Sequence, residues 1–302
     1  MAADAALLIA FGGPTRPEEI RPFLENVVRG RRIPPERLDE VVHHYELIGG
    51  RSPMNELTFQ QAEALRRALG RLPIYVGMRN WAPYIAEALA TMVTHGVREA
   101  VGVILSPFAC EASRERYTNA VDEARAALGP RAPRLRYLPS WHAHPGFVTA
   151  MADRVTDALA RIPAARRADT ALVFTNHSIP TAMADASPYA AEFRAASGAT
   201  AARAGHARWT LAYQSRSGSP RDPWLEPDVN AVLASLAADG VRDVVLAPIG
   251  FICDHVEVLY DLDVEARETA ARLGVSLERA KTVSDHPAFI GMLADLVRAE
   301  AG

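Results

Sequence analysis

The chain has 302 residues, 49% hydrophobic and 23% charged, with a formal net charge of −3. That balance fits one large or two medium soluble α/β domains, and it lacks the basic footprint of a nucleic-acid-binding protein. Two cysteines, Cys110 and Cys253, are too few for a disulfide framework or a four-thiolate iron–sulfur site, and no apolar run approaches the ~20 residues that span a bilayer.

The N-terminal MAADAALLIAFGG has no basic stretch before its short apolar run, so it does not resemble a signal peptide, and a cytoplasmic protein is expected. Residues 5–11 form an apolar run stopped by Gly12-Gly13-Pro14, which predicts a buried first strand. A helix follows from Thr15 or Arg16, with Pro17, Glu18 and Glu19 in its first turn. The glycine turn has the spacing of neither G-x-G-x-x-G nor a P-loop, so a nucleotide cradle is not expected. Next comes VRGRR at 28–32, the densest positive cluster in the chain. It is either a solvated loop or a clamp for carboxylates, since arginine forks match them in bidentate fashion. HHYELIGGRSPMNEL at 43–57 is expected to be an irregular loop lining a site.

Strands are expected at 73–78, 99–105 and 134–139, alternating with helices at 58–69, 83–95 and 113–128. The same rhythm then returns, with helices at 145–160, 189–204 and 228–239 and strands at 170–175, 209–214 and 243–248. A run at 279–283 is the candidate fourth strand of this second set. The alternation predicts parallel sheets with crossover helices, in two similar domains at 1–140 and 141–286. The closing helix, 287–302, is expected to return to the first domain.

After the strand at 243–248 and the Gly250 turn comes a helix with an unusual load of acids. Glu257, Asp261 and Glu265 are spaced by four and share one side of it. Each such like-charge pair costs roughly 0.2–0.5 kcal/mol in an isolated helix. Either the row leads oxygen ligands or proton acceptors into a cleft, or it is a solvated face paired with Arg242, Arg267 or Arg272. His177 also follows a strand end, and in a doubly wound sheet two such ends can face one crevice. An imidazole opposite a carboxylate suits a divalent transition metal or a base–acid pair. Asn176-His177-Ser178 matches a glycosylation pattern, which is a coincidence in a cytoplasmic protein.

These segments together resemble the ferrochelatases, almost end to end. The resemblance is carried by AFGGP at 10–14, NVVRGR at 26–31, HYELIGGRSPMNE at 44–56, HSIP at 177–180, YQSRSG at 213–218, DPWLEPDV at 222–229 and GFICDHVEVLYDLDVEA at 250–266. It implies two Rossmann-like domains, each a four-stranded parallel sheet flanked by helices, around a porphyrin cleft. It also implies no required cofactor, with ferrous iron and a porphyrin as substrates. His177 and Glu257 would be the catalytic pair, facing each other across the macrocycle, and would line the metal route with Asp261 and Glu265. Phe11, Arg29, Arg31, Tyr45, Ser52 and Tyr117 would meet the porphyrin, although Tyr117 reads equally well as a plain helix-face aromatic.

Some soluble bacterial members have Tyr where this chain has Phe11, and Phe11 cannot ligate iron. The iron–sulfur cluster of other members is excluded by the cysteine count. The segment from Met54 to Thr58 lacks the apolar lip by which membrane-associated members contact lipid. The arginine cluster and polar mouth favour coproporphyrin III, with four propionates, over protoporphyrin IX; a non-catalytic tetrapyrrole or metal carrier is the alternative of another class. Beyond the substrates, no nucleic acid, no stable membrane insertion and at most transient contact with neighbouring heme-pathway enzymes are expected.

Overall fold

The computed structural model describes residues 3–30, 34–217 and 222–302, so Arg31 lies outside the described residues. The chain divides into two compact units. One comprises Met1–Ser106, Glu111–Pro139 and Ile290–Gly302; the other comprises Pro107–Cys110 and Ser140–Phe289.

The first unit holds a parallel sheet of β1 (Ala5–Ala10), β2 (Ile74–Met78), β3 (Glu99–Ile104) and β4 (Arg134–Tyr137), in the order β2-β1-β3-β4. All six residues of β1 are buried, as expected of a central parallel strand covered on both faces. Its helices are α1 (Ile20–Val27), α2 (Pro35–Leu47), α3 (Met54–Leu69), α4 (Ile85–Thr94) and α5 (Arg116–Leu128). Leu7 and Ile9 of β1 join Ile85, Leu89 and Met92 of α4 and Val121 of α5 in one core.

The stretch expected to be irregular at 43–57 is mostly helical: α2 runs to Leu47 and α3 starts at Met54. Only a short turn separates them, where Gly49 and Gly50 take φ of 97° and 75°. Tyr45 is the buried residue of α2. A helix that buries so little shows no apolar stripe, so periodicity cannot reveal it.

The second unit repeats the layout with β5 (Ala171–His177), β6 (Trp209–Gln214), β7 (Asp243–Ala247) and β8 (Ser276–Arg279), all parallel, in the order β6-β5-β7-β8. Its helices are α6 (Pro145–Arg161), α7 (Thr181–Asp185), α8 (Tyr189–Arg203), α9 (Val229–Ala238), α10 (Val256–Tyr260) and α11 (Ala266–Leu273). The closing helix α12 (Pro287–Ala301) begins in this unit and belongs to the first from Ile290 onward. The fourth strand lies earlier than expected: Ser276 pairs with Asp243, and the ladder ends at Arg279. The apolar residue that anchors it is the buried Leu277, not Val283.

Helix starts follow from local chemistry. Asp228 caps α9 by accepting from the Asn230 N–H, and His144 caps α6 ahead of Pro145 by accepting from the Gly146 N–H. Pro107–Cys110 is held in the second unit by the Ala109 N–H, which donates to the Glu192 carboxylate at 2.7 Å, and by Phe108, which packs edge-on against Tyr189. In both sheets the chain leaves the central strand in one direction and returns on its other side. This creates a switch point between β1 and β3 and another between β5 and β7, where open α/β sheets place their ligands. Among the described residues, no helix is long and apolar enough to cross a membrane.

Candidate functional site

At the second unit's switch point, β5 ends on His177 itself and β7 leads into the Gly250 turn. The Gly250 N–H donates to the Thr175 carbonyl at 3.1 Å, tying the turn to β5. A Cβ on Gly250 would lie 2.1 Å from Asn176 Oδ1, so only glycine fits. Asn176, 1% exposed, accepts through Oδ1 from the His177 N–H (2.9 Å) and from the Tyr189 hydroxyl (2.8 Å). The Tyr189 hydroxyl also lies 2.9 Å from the His177 carbonyl. Burial keeps this phenol protonated, so it donates.

His177 is thus held from its backbone side by groups that cannot move independently. A Gly250→Ala substitution should overpack the turn at a cost of about 1–3 kcal/mol and lower the melting temperature. An unchanged thermal melt would show that the turn has slack.

The His177 Nδ1–H donates to the Ser178 carbonyl, which aims Nε2 at Glu257 Oε1, 3.5 Å away. Burial pushes the His177 imidazole down, but the Glu257 charge and hydrogen bond, the Ser178 carbonyl and Asp261 outweigh it and raise the group above its ordinary value. Burial pushes the Glu257 carboxyl up, yet the His177 imidazolium, their hydrogen bond and His255 hold it well below the usual carboxylate range. Each charge thus favours the other, imidazolium on His177 and carboxylate on Glu257.

This geometry corrects one expectation. Two groups facing each other across a flat aromatic ring would stand about 7 Å apart, two van der Waals contacts of ~3.5 Å each. His177 and Glu257 touch instead, because β5 and β7 are neighbouring strands and both residues leave the same edge of the sheet.

His255 caps α10: its Nδ1 accepts the Glu257 N–H at 3.2 Å, and burial lowers its pKa. Beyond Glu257 the helix widens into a π-turn at Asp261–Glu265. Such i→i+5 turns are rare and recur at functional sites. The extra residue of the π-turn resets the rotation of the helix between Asp261 and Glu265. Asp261 accepts from the Ser215 hydroxyl and, at 3.4 Å, from Gln214 Nε2. Gln214 Nε2 also donates to the Glu257 carbonyl at 2.6 Å. Burial raises the Asp261 carboxyl to about 7, with the charges of Glu257 and Glu265 adding to the shift and the Ser215 hydrogen bond opposing it. Glu265 accepts from Asn230 Nδ2 at 3.3 Å. Ser215 holds φ of 61°, a backbone strain tolerated beside the row.

None of these contacts involves Arg242, Arg267 or Arg272, the cations a solvated acidic face would have used. Among the described residues, no three His, Cys, Asp or Glu side chains are grouped to hold a metal ion. Glu257, Asp261 and Glu265 each meet a different neighbour: His177, Ser215 with Gln214, and Asn230.

In the first unit, Phe11 follows β1 and packs edge-on against Phe23, which also meets Tyr45 and Trp81. Ser52 and Tyr45 are buried, at 5% and 2% exposure. The Ser52 N–H donates to the Pro14 carbonyl, and Gly13 approaches so closely that a Cβ there would lie 2.8 Å from Ser52 Cβ. Asn55 accepts the Gly13 N–H at 2.8 Å, which fixes the glycine turn onto α3. Arg29 is exposed and donates to Asn26 Oδ1 at 2.6 Å. Tyr117 is 8% exposed and belongs to the apolar core of this unit, with the Arg79 guanidinium 5.9 Å from its ring. Sequence reasoning missed Asn176, Tyr189, Asn26 and Arg79. Asn176 directly precedes HSIP and Asn26 opens NVVRGR; Tyr189 and Arg79 gave no local signal.

A family model described as ferrochelatase matches residues 3–301. The chain is 44% identical over 300 residues to the coproporphyrin III ferrochelatase of Mycobacterium leprae, covering 98% of this chain and 89% of that one. It is 45% identical over 316 residues to the coproporphyrin III ferrochelatase of Streptomyces griseus, covering 97% and 84%. At 12% identity it shares the fold of the sirohydrochlorin chelatase SirB from Bacillus subtilis subspecies spizizenii, solved with cobalt, at a TM-score of 0.61 over 98% of this chain and 94% of that one. With a family match along nearly its whole length and this identity to its relatives, the chain belongs to the ferrochelatase family.

Proposed function

We propose that this protein inserts ferrous iron into coproporphyrin III, and that the observation carrying the reading is the His177–Glu257 pair at the switch point of the second sheet. Insertion exchanges two pyrrole protons for one Fe²⁺, so charge balances and no electrons move. The reaction needs no organic cofactor, and two cysteines are too few for a four-thiolate iron–sulfur cluster. What it needs is acceptors for two protons and oxygen or nitrogen ligands to replace the water around iron. His177 and Glu257 supply the acceptors from one side of the macrocycle. The imidazolium must first release its proton, and then its Nε2 takes one from a pyrrole nitrogen. Asp261, which titrates near neutrality, is the next station, and Glu265 is the outermost. Iron follows the same line of carboxylates inward to Glu257.

Arg29, held by Asn26, is the propionate contact in the described part of the first unit, and Tyr45 and Ser52 build the wall behind it. Arg31 and Tyr117 complete the substrate set in this reading, and Phe11 offers an apolar surface rather than a ligand. Coproporphyrin III is favoured over protoporphyrin IX because the relatives at 44% and 45% identity bear its name. In this reading the protein works in the cytoplasm, with at most transient contact with neighbouring heme-pathway enzymes.

Anaerobic insertion of ferrous iron into each porphyrin, followed by absorbance, tests the reading. Hydrogen bonds to charged groups contribute about 1.5–3 kcal/mol, so kcat/KM should favour coproporphyrin by about tenfold or more. Preference for protoporphyrin would keep the chemistry and change the substrate. Tight binding without insertion of iron into either would point to a carrier.

A further inference from the structure

Between Asp254 and Glu265 the chain carries five carboxylates: Asp254, Glu257, Asp261, Asp263 and Glu265. They do not face one way. Glu257 contacts His177 at the end of β5, Asp261 contacts Gln214 and Ser215 at the end of β6, and Glu265 contacts Asn230 in α9. Asp254 and Asp263 turn instead toward β8, on the opposite flank of β7.

There they share one guanidinium, and Asp263 has a second, that of Arg267, at 3.9 Å. Arg279, the last residue of β8, has a side chain only 12% exposed. Its Nε and Nη2 grip the two oxygens of Asp263 at 2.8 Å each, a bidentate fork. Its Nη1 and Nη2 reach the two oxygens of Asp254 at 3.3 and 3.1 Å. The Thr282 hydroxyl closes the arrangement with a 3.0 Å bond to Asp254.

Asp263 is the middle residue of the π-turn, with Asp261 two residues before it and Glu265 two residues after. Gripping Asp263 from the β8 side therefore fixes the rotation of both neighbours toward β6 and α9. Relaxation of the turn to a regular α-helix would shift everything beyond it by one residue, about 100° around the axis. Glu265 would then leave Asn230.

We propose that Arg279 is a positioning residue for the reaction: it withdraws Asp254 and Asp263 from the acid set and pins the π-turn, leaving Glu257, Asp261 and Glu265 as the carboxylates that ferrous iron meets. This rests on the reading of the row as the iron route. Arg279 touches neither substrate nor reacting atoms; it acts through the row.

The test compares the wild-type protein with Arg279→Met and Arg279→Lys in two measurements. One is the anaerobic steady state, with KM for ferrous iron and KM for the porphyrin determined separately. The other is amide hydrogen exchange over residues 261–266. Arg279→Met should raise the iron KM about tenfold, leave the porphyrin KM within twofold and speed exchange in the turn about tenfold. Arg279→Lys, a point charge without the fork, should fall between, and added guanidinium should recover part of the loss in Arg279→Met. Because two half-buried carboxylates that lose their shared guanidinium can destabilise the protein, a triple variant (Asp254→Asn, Asp263→Asn, Arg279→Met) removes the charges together and should show the same two effects. A folded variant with wild-type iron KM and wild-type exchange overturns the proposal. A wild-type protein that inserts iron into no porphyrin sinks the functional reading instead. Exchange alone then decides the clamp, and unchanged exchange in the variants refutes it.

Discussion

Replacing His177 with Ala should abolish iron insertion while leaving porphyrin binding within a few-fold of wild type. A positioned general base contributes about 10²–10⁴-fold, and the loss should fall in that range. The size follows from how completely the imidazole is committed. The Asn176 carboxamide and the Tyr189 hydroxyl hold its backbone, the Ser178 carbonyl takes its Nδ1 proton, and only Nε2 is left for chemistry. His255 is close but does not substitute, because its Nδ1 is occupied as the cap of α10. Anaerobic turnover and porphyrin fluorescence quenching, measured on the same preparation, separate the two properties. A His177→Ala protein that keeps activity within tenfold, with an unchanged melt, removes the imidazole from the mechanism. A carrier would keep binding and have no turnover to lose.

The sheets were legible because central parallel strands are continuous apolar runs with a turn after each. The motif residues His177 and Glu257 were legible too, but not their contact. That depends on β5 and β7 lying side by side, and strand order is not written in local sequence. Helix α2 escaped because a helix burying little beyond Tyr45 carries no stripe. The 4-residue spacing of the acids was visible, whereas the π-turn between Asp261 and Glu265 was not, since nothing in DLDVE separates an i→i+5 turn from an ordinary one. Arg279 was hidden for a related reason: placing the fourth strand a few residues late made this arginine the start of a strand rather than the end that reaches Asp254 and Asp263. Groups that act across sequence separations of 12 to 25 residues (Tyr189 on His177, Arg279 on Asp254) need the fold before they can be seen.

Replacing Glu257 with Gln should lower the titration of His177 from its raised wild-type value, and should cost at least about 10²-fold in turnover. The direction follows from the balance at the imidazole. Burial alone disfavours the charged ring, and in the wild-type protein the Glu257 carboxylate is the largest of the groups that together overcome that effect. With a neutral amide at 257 the largest opposing charge is gone, and only the Ser178 carbonyl and Asp261 are left to work against burial.

The stability consequence has a definite sign on each side. His177, with its pKa raised on folding, adds stability that is fully present below 6.5 and lost as pH rises through the raised value. Glu257, with its pKa lowered, adds stability that is present above 4.5 and lost as pH falls through the depressed value. The wild-type protein should therefore exceed Glu257→Gln in melting temperature most clearly between pH 4.5 and 6.5.

Turnover should follow the opposite limb. The ring must give up its proton before it can take one from a pyrrole, so wild-type kcat/KM should rise with pH through the raised His177 value. Ring-proton NMR of His177 across this range, with the melts alongside, checks both signs. If His177 titrates no lower in Glu257→Gln than in wild type, Glu257 is not what holds that proton. The first proton acceptor would then have to be sought further along the row, at Asp261.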